Sequence, residues 1–84
     1  MNYTVLWLPD AEQELATIWI SATDRGAVTA ASHTIDQLLR VDPQTVGESR
    51  ENDRRILMEA PLGVLFRVLP GDRIVQVLTV WQFD

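Results

Sequence analysis

The chain contains no cysteine and no lysine, and it has no long hydrophobic run. Without cysteine there is no disulfide framework, no thiolate nucleophile and no cysteine-ligated zinc site. Without lysine, no lysine side chain can serve as a base, a Schiff-base former or a phosphate ligand. No apolar stretch approaches the ~20 residues that span a membrane, and the first residues lack the basic segment of a secretory signal. We therefore expect a cytoplasmic protein with no membrane partner.

The amino-acid balance predicts one small acidic domain covering residues 1–84. Its 84 residues are 46% hydrophobic and carry a formal net charge of −5. At this size folding buries only about 60–65% of the unfolded surface, so any site should be shallow. Residues 1–42 hold six acids against two arginines (−4), whereas residues 43–84 hold six against five (−1). This charge disfavours non-specific binding of nucleic acid by the whole surface, although a local arginine patch could still bind it.

The first half of the chain predicts a strand and two helices. Residues 3–8 are rich in β-branched and aromatic types and stop before Pro9, which suits the first position of a helix. Apolar residues then recur at helical spacing over about 9–22, and Asp24 is a plausible N-cap for a second helix. Pro43 ends that helix because proline disfavours the helical conformation of the residue before it. The apolar positions are Ala11, Leu15, Ile18, Trp19 and Ala22, then Val28, Ala31, Ile35, Leu38 and Leu39.

The second half predicts an antiparallel meander after a polar loop at residues 43–53. Strands are expected at 54–60, 62–69 and 73–83, with a Pro-Gly-Asp turn between the last two. The last strand is apolar on both faces except at Gln76, Thr79 and Gln82, which indicates an interior position in the sheet. The predicted fold class is therefore α+β. Its two-helix hairpin packs on one face of a four-stranded, mainly antiparallel sheet, in the order β-α-α-β-β-β.

This order, at this length, resembles the RelE/ParE family of bacterial toxins from toxin–antitoxin modules, over nearly the whole chain. The resemblance implies a toxin that is neutralised by a cognate antitoxin, whose amphipathic segment wraps the helices or the sheet. RelE-like members cleave mRNA on the ribosome, and ParE-like members poison DNA gyrase. The residues that carry the resemblance are Leu8-Pro9-Asp10-Ala11-Glu12, Ile35, Leu38-Leu39, Asp42-Pro43, Gly47, Arg54-Arg55-Ile56, Pro61-Leu62, Leu65-Phe66-Arg67-Val68 and Val75–Trp81.

The candidate catalytic residues are those that RNA cleavage would need. Cleavage without a metal requires a base, an acid and cations for the phosphorane charge. Glu48 is the candidate base, and Arg50, Arg54, Arg55 and Arg67 are the candidate cations. The C-terminus reads Trp-Gln-Phe-Asp where nuclease members present a histidine or tyrosine, and Leu-Gly stands where many show an aromatic-arginine pair. These departures favour a toxin that acts by binding, as ParE-like proteins do on gyrase.

Two further functions stay open, a ribosome-dependent mRNA endonuclease and a family member without toxicity. Arg54 and Arg55 could also pair with nearby acids, Arg67 could form a structural ion pair, and Glu48 could be a solvated loop acid. If the protein acts by binding, the residues expected to contact an antitoxin or target are Arg50, Arg54, Arg55, Ile20 and Val41.

Other residues with chemical potential are assigned structural roles. His33 is the only histidine, and with Asp36 alone beside it the ligands are too few for a metal site, so we expect no metal and no cofactor. The three tryptophans, at positions 7, 19 and 81, are expected to anchor the core. The acids of the first helix, Asp10, Glu12 and Glu14, are expected to form a solvated first turn. A homodimer is compatible with these features.

Overall fold

The computed structural model describes residues 2–83, which form two helices packed on one face of a five-stranded sheet. The elements are β1 (Thr4–Trp7), α1 (Pro9–Ser21), α2 (Arg25–Val41), β2 (Glu48–Ser49), β3 (Arg54–Glu59), β4 (Leu62–Leu69) and β5 (Ile74–Gln82). The sheet order is β1-β5-β4-β3-β2, with β1 parallel to β5 and the other pairs antiparallel. The predicted α+β class, the helix hairpin and the interior position of the last strand are confirmed.

The predicted count of four strands is wrong by one, because the polar loop contains the short edge strand β2. Glu48 and Ser49 pair with Ile56 and Arg55 of β3. Two residues are too few to show the alternation that identifies a strand in a sequence. Gly47 allows this pairing for two reasons. Its φ of +72° is a conformation that glycine adopts readily. Any Cβ at this position would also collide with the backbone carbonyl of Ile56.

The helices begin and end where the sequence predicts. Pro9 is the first residue of α1, and the Asp24 carboxylate accepts a hydrogen bond of 3.0 Å from the Ala27 amide at the start of α2. Pro43 is buried just beyond the end of α2. No helix within residues 2–83 has the length and apolar character needed to cross a membrane.

The core lies between the helices and one face of the sheet. Phe66 on β4 is completely buried, and Val75 and Val77 of the neighbouring β5 are equally inaccessible. The helices contribute Ile35 and Leu39 from the predicted stripe of α2. Because the inward residues of each strand alternate with outward ones, the opposite face of the sheet carries the residues that the helices do not cover.

The expectation that Trp19 anchors the core is wrong. The residue is 43% exposed and lies at the surface between α1 and α2. The Arg25 guanidinium lies over the indole at 4.7 Å and donates hydrogen bonds to the carbonyls of Trp19 and Ile20. The indole N–H donates to the Thr29 hydroxyl at 3.1 Å. The ring therefore joins α1 to α2 at the surface.

Trp7 packs against the core, while Trp81 is only partly buried.

Glu14 also departs from its predicted role as a solvated acid. One of its carboxylate oxygens accepts hydrogen bonds from the Thr79 hydroxyl at 2.7 Å and the Val80 amide at 3.0 Å. β1 pairs with β5 only as far as Val77, so beyond that residue the edge of β5 has no neighbouring strand. Glu14 thus satisfies a backbone donor at a partly buried strand edge.

Glu14→Ala is expected to lower the free energy of unfolding by about 1–3 kcal/mol, because it leaves the Val80 amide without its partner. Glu12→Ala is the matched control, since Glu12 lies on the same helix with its side chain exposed, and it should change stability by less than about 0.5 kcal/mol. Urea unfolding followed by circular dichroism measures both variants. Equal midpoints for the two would show that Glu14 does not support the edge of β5.

Candidate functional site: the uncovered face of the sheet

The side of the sheet opposite the helices is named the open face. Residues paired across neighbouring strands share a face, and the register places Arg54, Arg67 and Gln76 in one row. Glu48, Ile56 and Leu65 form the next row, and Met58, Gly63 and Trp81 the third. Thr79, opposite Leu65, lies at the edge of β5, where its hydroxyl reaches Glu14 of α1. Arg67 is exposed and Met58 is 48% exposed, which shows that no helix covers this side.

Two arginines stand next to each other on the open face. Arg54 and Arg67 are directly opposite on β3 and β4, an arrangement in which like charges repel. Within residues 2–83 the ion pairs are Arg40–Asp36 and Arg50–Glu48, so neither Arg54 nor Arg67 is matched by a carboxylate there. The Nε atom of Arg54 is buried and has no hydrogen-bond partner. The pair is thus suited to a ligand that brings negative charge and hydrogen-bond acceptors.

Glu48 lies at the edge of the same face, on β2. Its carboxylate accepts a hydrogen bond of 3.1 Å from Nη2 of Arg50. Both side chains are exposed, at 76% for Glu48 and 46% for Arg50, so the ion pair contributes little to stability. The fold therefore brings Glu48, Arg54 and Arg67 to one face, with Glu48 at its rim.

Arg55 points to the other side of the sheet. It is opposite the buried Phe66, and its guanidinium donates to the carbonyls of Val46 and Gly47 at 3.0 and 3.2 Å. A third bond of 3.0 Å reaches the Ser49 hydroxyl. These contacts hold the loop before β2 against β3, and they use three of the five N–H donors of Arg55.

Three of the predicted arginines nevertheless approach one another at the end of the sheet. A shallow cavity of about 440 Å³ is lined by Arg50, Arg54 and Arg55, together with Asp53, Gln44, Ser49, Val68 and Pro70. The cavity lies at the end of the sheet, where Arg54 of the open face is close to Arg55 of the helix side, and Arg67 does not line it.

Histidine and tyrosine lie away from the open face. His33, the only histidine, is exposed on α2. Tyr3, the only tyrosine, is partly covered by Arg73 at 5.9 Å. Glu48 is thus the only carboxylate in the rows defined above, and no imidazole or phenol accompanies the arginines. Within residues 2–83, no three His, Asp or Glu side chains come together as a set of metal ligands.

Ile20 and Val41 lie on separate parts of the helix pair. Ile20 is 65% exposed and lines an apolar groove of about 830 Å³ between α1, α2 and β1. Val41 is 67% exposed at the end of α2, outside that groove. Sequence reasoning expected Ile20 to contact a partner, but it predicted neither the groove that Ile20 lines nor the place of Gln76 beside Arg67. Gln76 is one of three polar residues in β5, with Thr79 and Gln82, and its interruption of the apolar run was the available signal.

Comparison with known proteins identifies the fold. No protein-family model and no curated protein matches the sequence. The RelBE2 toxin–antitoxin complex of Mycobacterium tuberculosis contains a chain with a TM-score of 0.79 and 19% identity, over 98% of this chain and 99% of that one. A ParDE toxin–antitoxin structure from Pseudomonas aeruginosa gives a TM-score of 0.67 and 20% identity, over 98% and 97%.

A third similar structure is that of the free E. coli toxin RelE carrying two arginine-to-alanine substitutions, with a TM-score of 0.61 and 16% identity. It covers 98% of this chain and 84% of that one. The chain therefore has the fold of the RelE/ParE toxins, as its sequence predicted.

Proposed function

We propose that this chain is the toxin of a type II toxin–antitoxin pair, that it acts by binding its target through the open face, and that a cognate antitoxin holds it inactive. The observation that carries the proposal is the Arg54–Arg67 pair, unmatched by any carboxylate within residues 2–83. The likeness to RelE and ParE structures over 98% of the chain supports it.

The chemistry of the open face supports binding rather than cleavage. Guanidinium groups form paired, charge-assisted hydrogen bonds with carboxylates and phosphates, and their geometry selects an oxyanion. They do not act as general acids, because arginine keeps its proton at any pH at which proteins work. With no imidazole or phenol beside Arg54 and Arg67, the face is better equipped to hold a target than to cut one. DNA gyrase is the proposed target, as for ParE-like toxins.

Ribosome-dependent cleavage of mRNA is the second candidate, and one observation favours it. Glu48, Arg54 and Arg67 share the open face, so a carboxylate base and two cations lie on the same surface. The exposed carboxylate of Glu48 is held by Arg50 at 3.1 Å. In this mechanism Glu48 would accept the 2′-hydroxyl proton, and the arginines would stabilise the charge of the phosphorane.

Two assays with the purified protein separate the candidates. We expect it to inhibit supercoiling by DNA gyrase in proportion to its concentration, and to leave mRNA intact in a translating bacterial extract. New 5′ ends at fixed positions within codons, lost in Glu48→Gln, would establish the endonuclease instead. A protein that is inert in both assays would lack the proposed activity.

The antitoxin is expected to be encoded by a short reading frame beside this gene. Co-expression of that frame should restore growth to cells in which this chain is toxic, and the two proteins should purify together. Growth that stays arrested in the presence of the neighbouring product would show that it is not the antitoxin.

A further inference from the structure

The open face is apolar beyond its arginine pair. Ile56 and Leu65 stand opposite each other in the row next to the arginines, and Met58 and Trp81 belong to the row after that. None of these four residues is fully buried, and Met58 is 48% exposed. An antiparallel sheet normally turns polar side chains to the solvent on the face that its helices leave bare. An exposed apolar face of this kind indicates contact with a partner.

Gly63 shapes the apolar end of the open face. It is opposite Trp81 across β4 and β5, and a Cβ added to it would come within 2.6 Å of the indole ring. The ring therefore lies across Gly63, in space that another residue would fill with its own side chain. Met58 pairs with Gly63 from the other side. The partly buried indole is thus held on the open face as a flat apolar contact.

The cationic and apolar ends of the open face are a fixed distance apart. Arg67 and Gly63 are four residues apart on β4, which corresponds to about 13 Å along the strand. In an α-helix, residues i, i+4 and i+8 lie on the same side and span about 12 Å. A helix laid along β4 can therefore place one side chain over each of the three rows.

The pairing and the charges of the sheet indicate what kind of partner fits. β4 is paired along both sides, so its backbone offers no edge to an added strand. Nucleic acid would bring several phosphates across the two apolar rows, since each strand of a duplex carries one per about 3.4 Å. A second copy of this chain would offer only Glu48 from its own rows, and Arg50 already pairs with that carboxylate. A protein helix with an acidic end and an apolar end matches the face.

We propose that the open face receives an amphipathic helix of the target protein, which sets a carboxylate between Arg54 and Arg67 and an apolar side chain against Trp81. This inference rests on the proposed function, since the helix belongs to the target. The carboxylate accepts charge-assisted hydrogen bonds from both arginines. The side chain four residues later covers Ile56 and Leu65, and the one eight residues later packs on the indole. Trp81 is thereby a specificity-determining residue.

Two capped, alanine-based helical peptides test this arrangement. The aligned peptide carries glutamate followed four and eight residues later by leucine. In the misaligned peptide the glutamate is moved two residues along, to the opposite side of the helix, so composition and charge are unchanged. Each is titrated into the isotope-labelled full chain and followed by nuclear magnetic resonance. We expect the aligned peptide to bind about 10-fold more tightly and to shift the indole N–H signal of Trp81, but not that of Trp19.

Variants of the protein locate the apolar contact. Trp81→Ala should weaken binding of the aligned peptide by about 10-fold or more, because tryptophans dominate the binding energy of many interfaces. Gly63→Ala keeps the indole but displaces it, since the new Cβ would lie 2.6 Å from the ring, and it should weaken binding by about 3- to 10-fold. Trp19→Ala removes an exposed indole outside the open face and should change binding by less than about 2-fold. Circular dichroism confirms that the variants are folded.

Four results would overturn the inference. They are equal binding of the two peptides, binding of neither, equal effects of Trp81→Ala and Trp19→Ala, and a dimer in sedimentation experiments that the aligned peptide cannot dissociate. The last of these would assign the open face to a second copy of the chain.

The toxic activity has a separate test, because growth arrest is measured in cells without any peptide. Growth arrest without peptide binding would support the toxin and overturn the helix. Peptide binding without growth arrest would support the chemistry assigned to the open face and contradict the toxin.

Discussion

The double variant Arg54→Gln/Arg67→Gln is expected to lose the growth arrest that the unmodified chain causes on induction. In the proposed function each guanidinium donates charge-assisted hydrogen bonds to the target, and removal of such bonds costs about 1.5–3 kcal/mol. Loss of both guanidinium groups is therefore expected to weaken target binding by a factor on the order of 10² to 10⁴. The fold should persist, because the substitution removes two adjacent like charges from β3 and β4.

The control for this experiment is Arg40→Gln/Arg73→Gln, which makes the same change in net charge outside the open face. Arg40 lies on α2, and Arg73 lies in the turn before β5. We expect this variant to arrest growth as the unmodified chain does. Loss of toxicity in both variants would mean that net charge, and not the Arg54–Arg67 pair, is required. Full toxicity of Arg54→Gln/Arg67→Gln would show that the two arginines of the open face are not needed for toxicity.

Phe66→Ala is expected to cause the largest loss of stability among single substitutions in the core. The ring is completely buried on β4, between β3 and β5 and beneath the helices. Truncation of a buried phenylalanine costs about 3–5 kcal/mol, which is a large part of the 5–15 kcal/mol that stabilises a typical domain. A melting temperature lower by roughly 15–30 °C follows for a chain of this size.

Met58→Ala is the matched control for Phe66→Ala. Met58 is on the neighbouring strand, but its side chain is 48% exposed on the open face. Its truncation should shift the melting temperature by no more than about 5 °C, since exposed apolar side chains contribute little to the core. Comparable shifts for the two variants in differential scanning calorimetry would mean that the core does not lie on the helix side of the sheet.

The order of elements could be predicted because local sequence determines most of it. Pro9, Asp24 and Pro43 mark helix boundaries by their own backbone chemistry, and the strands of the meander show their apolar alternation directly. β2 could not be predicted in the same way. Its two residues pair only because Gly47 permits a positive φ and the β3 backbone lies alongside.

The side chains that escaped prediction owe their positions to tertiary contacts. Glu14 has the pattern of a solvated helix acid, yet it meets the edge of β5, which is 65 residues away in the chain. Trp19 follows the apolar stripe of α1, but Arg25 and Thr29 offer it partners at the surface. Helical spacing cannot distinguish these environments, because it records only the face of the helix on which a residue lies.

The candidate site was predictable as a set of residue types, and its geometry was not. The sequence marks Arg54, Arg55 and Arg67 equally, but strand register separates them. Arg54 and Arg67 share a row on the open face, and Arg55 turns to the loop at Val46 and Gly47. A shift of one residue in the pairing would exchange the faces, which is why the register decides which arginines can act together.

The viable count after induction of the unmodified chain tests the central claim most directly. The protein is expressed from a tightly controlled promoter in cells that lack the neighbouring reading frame, and soluble, folded product is confirmed by circular dichroism. If the chain is a toxin, the viable count falls soon after induction and recovers when the antitoxin is co-expressed. A culture that grows like its uninduced control, although folded protein accumulates, would contradict the account and mean that the fold has lost its toxicity.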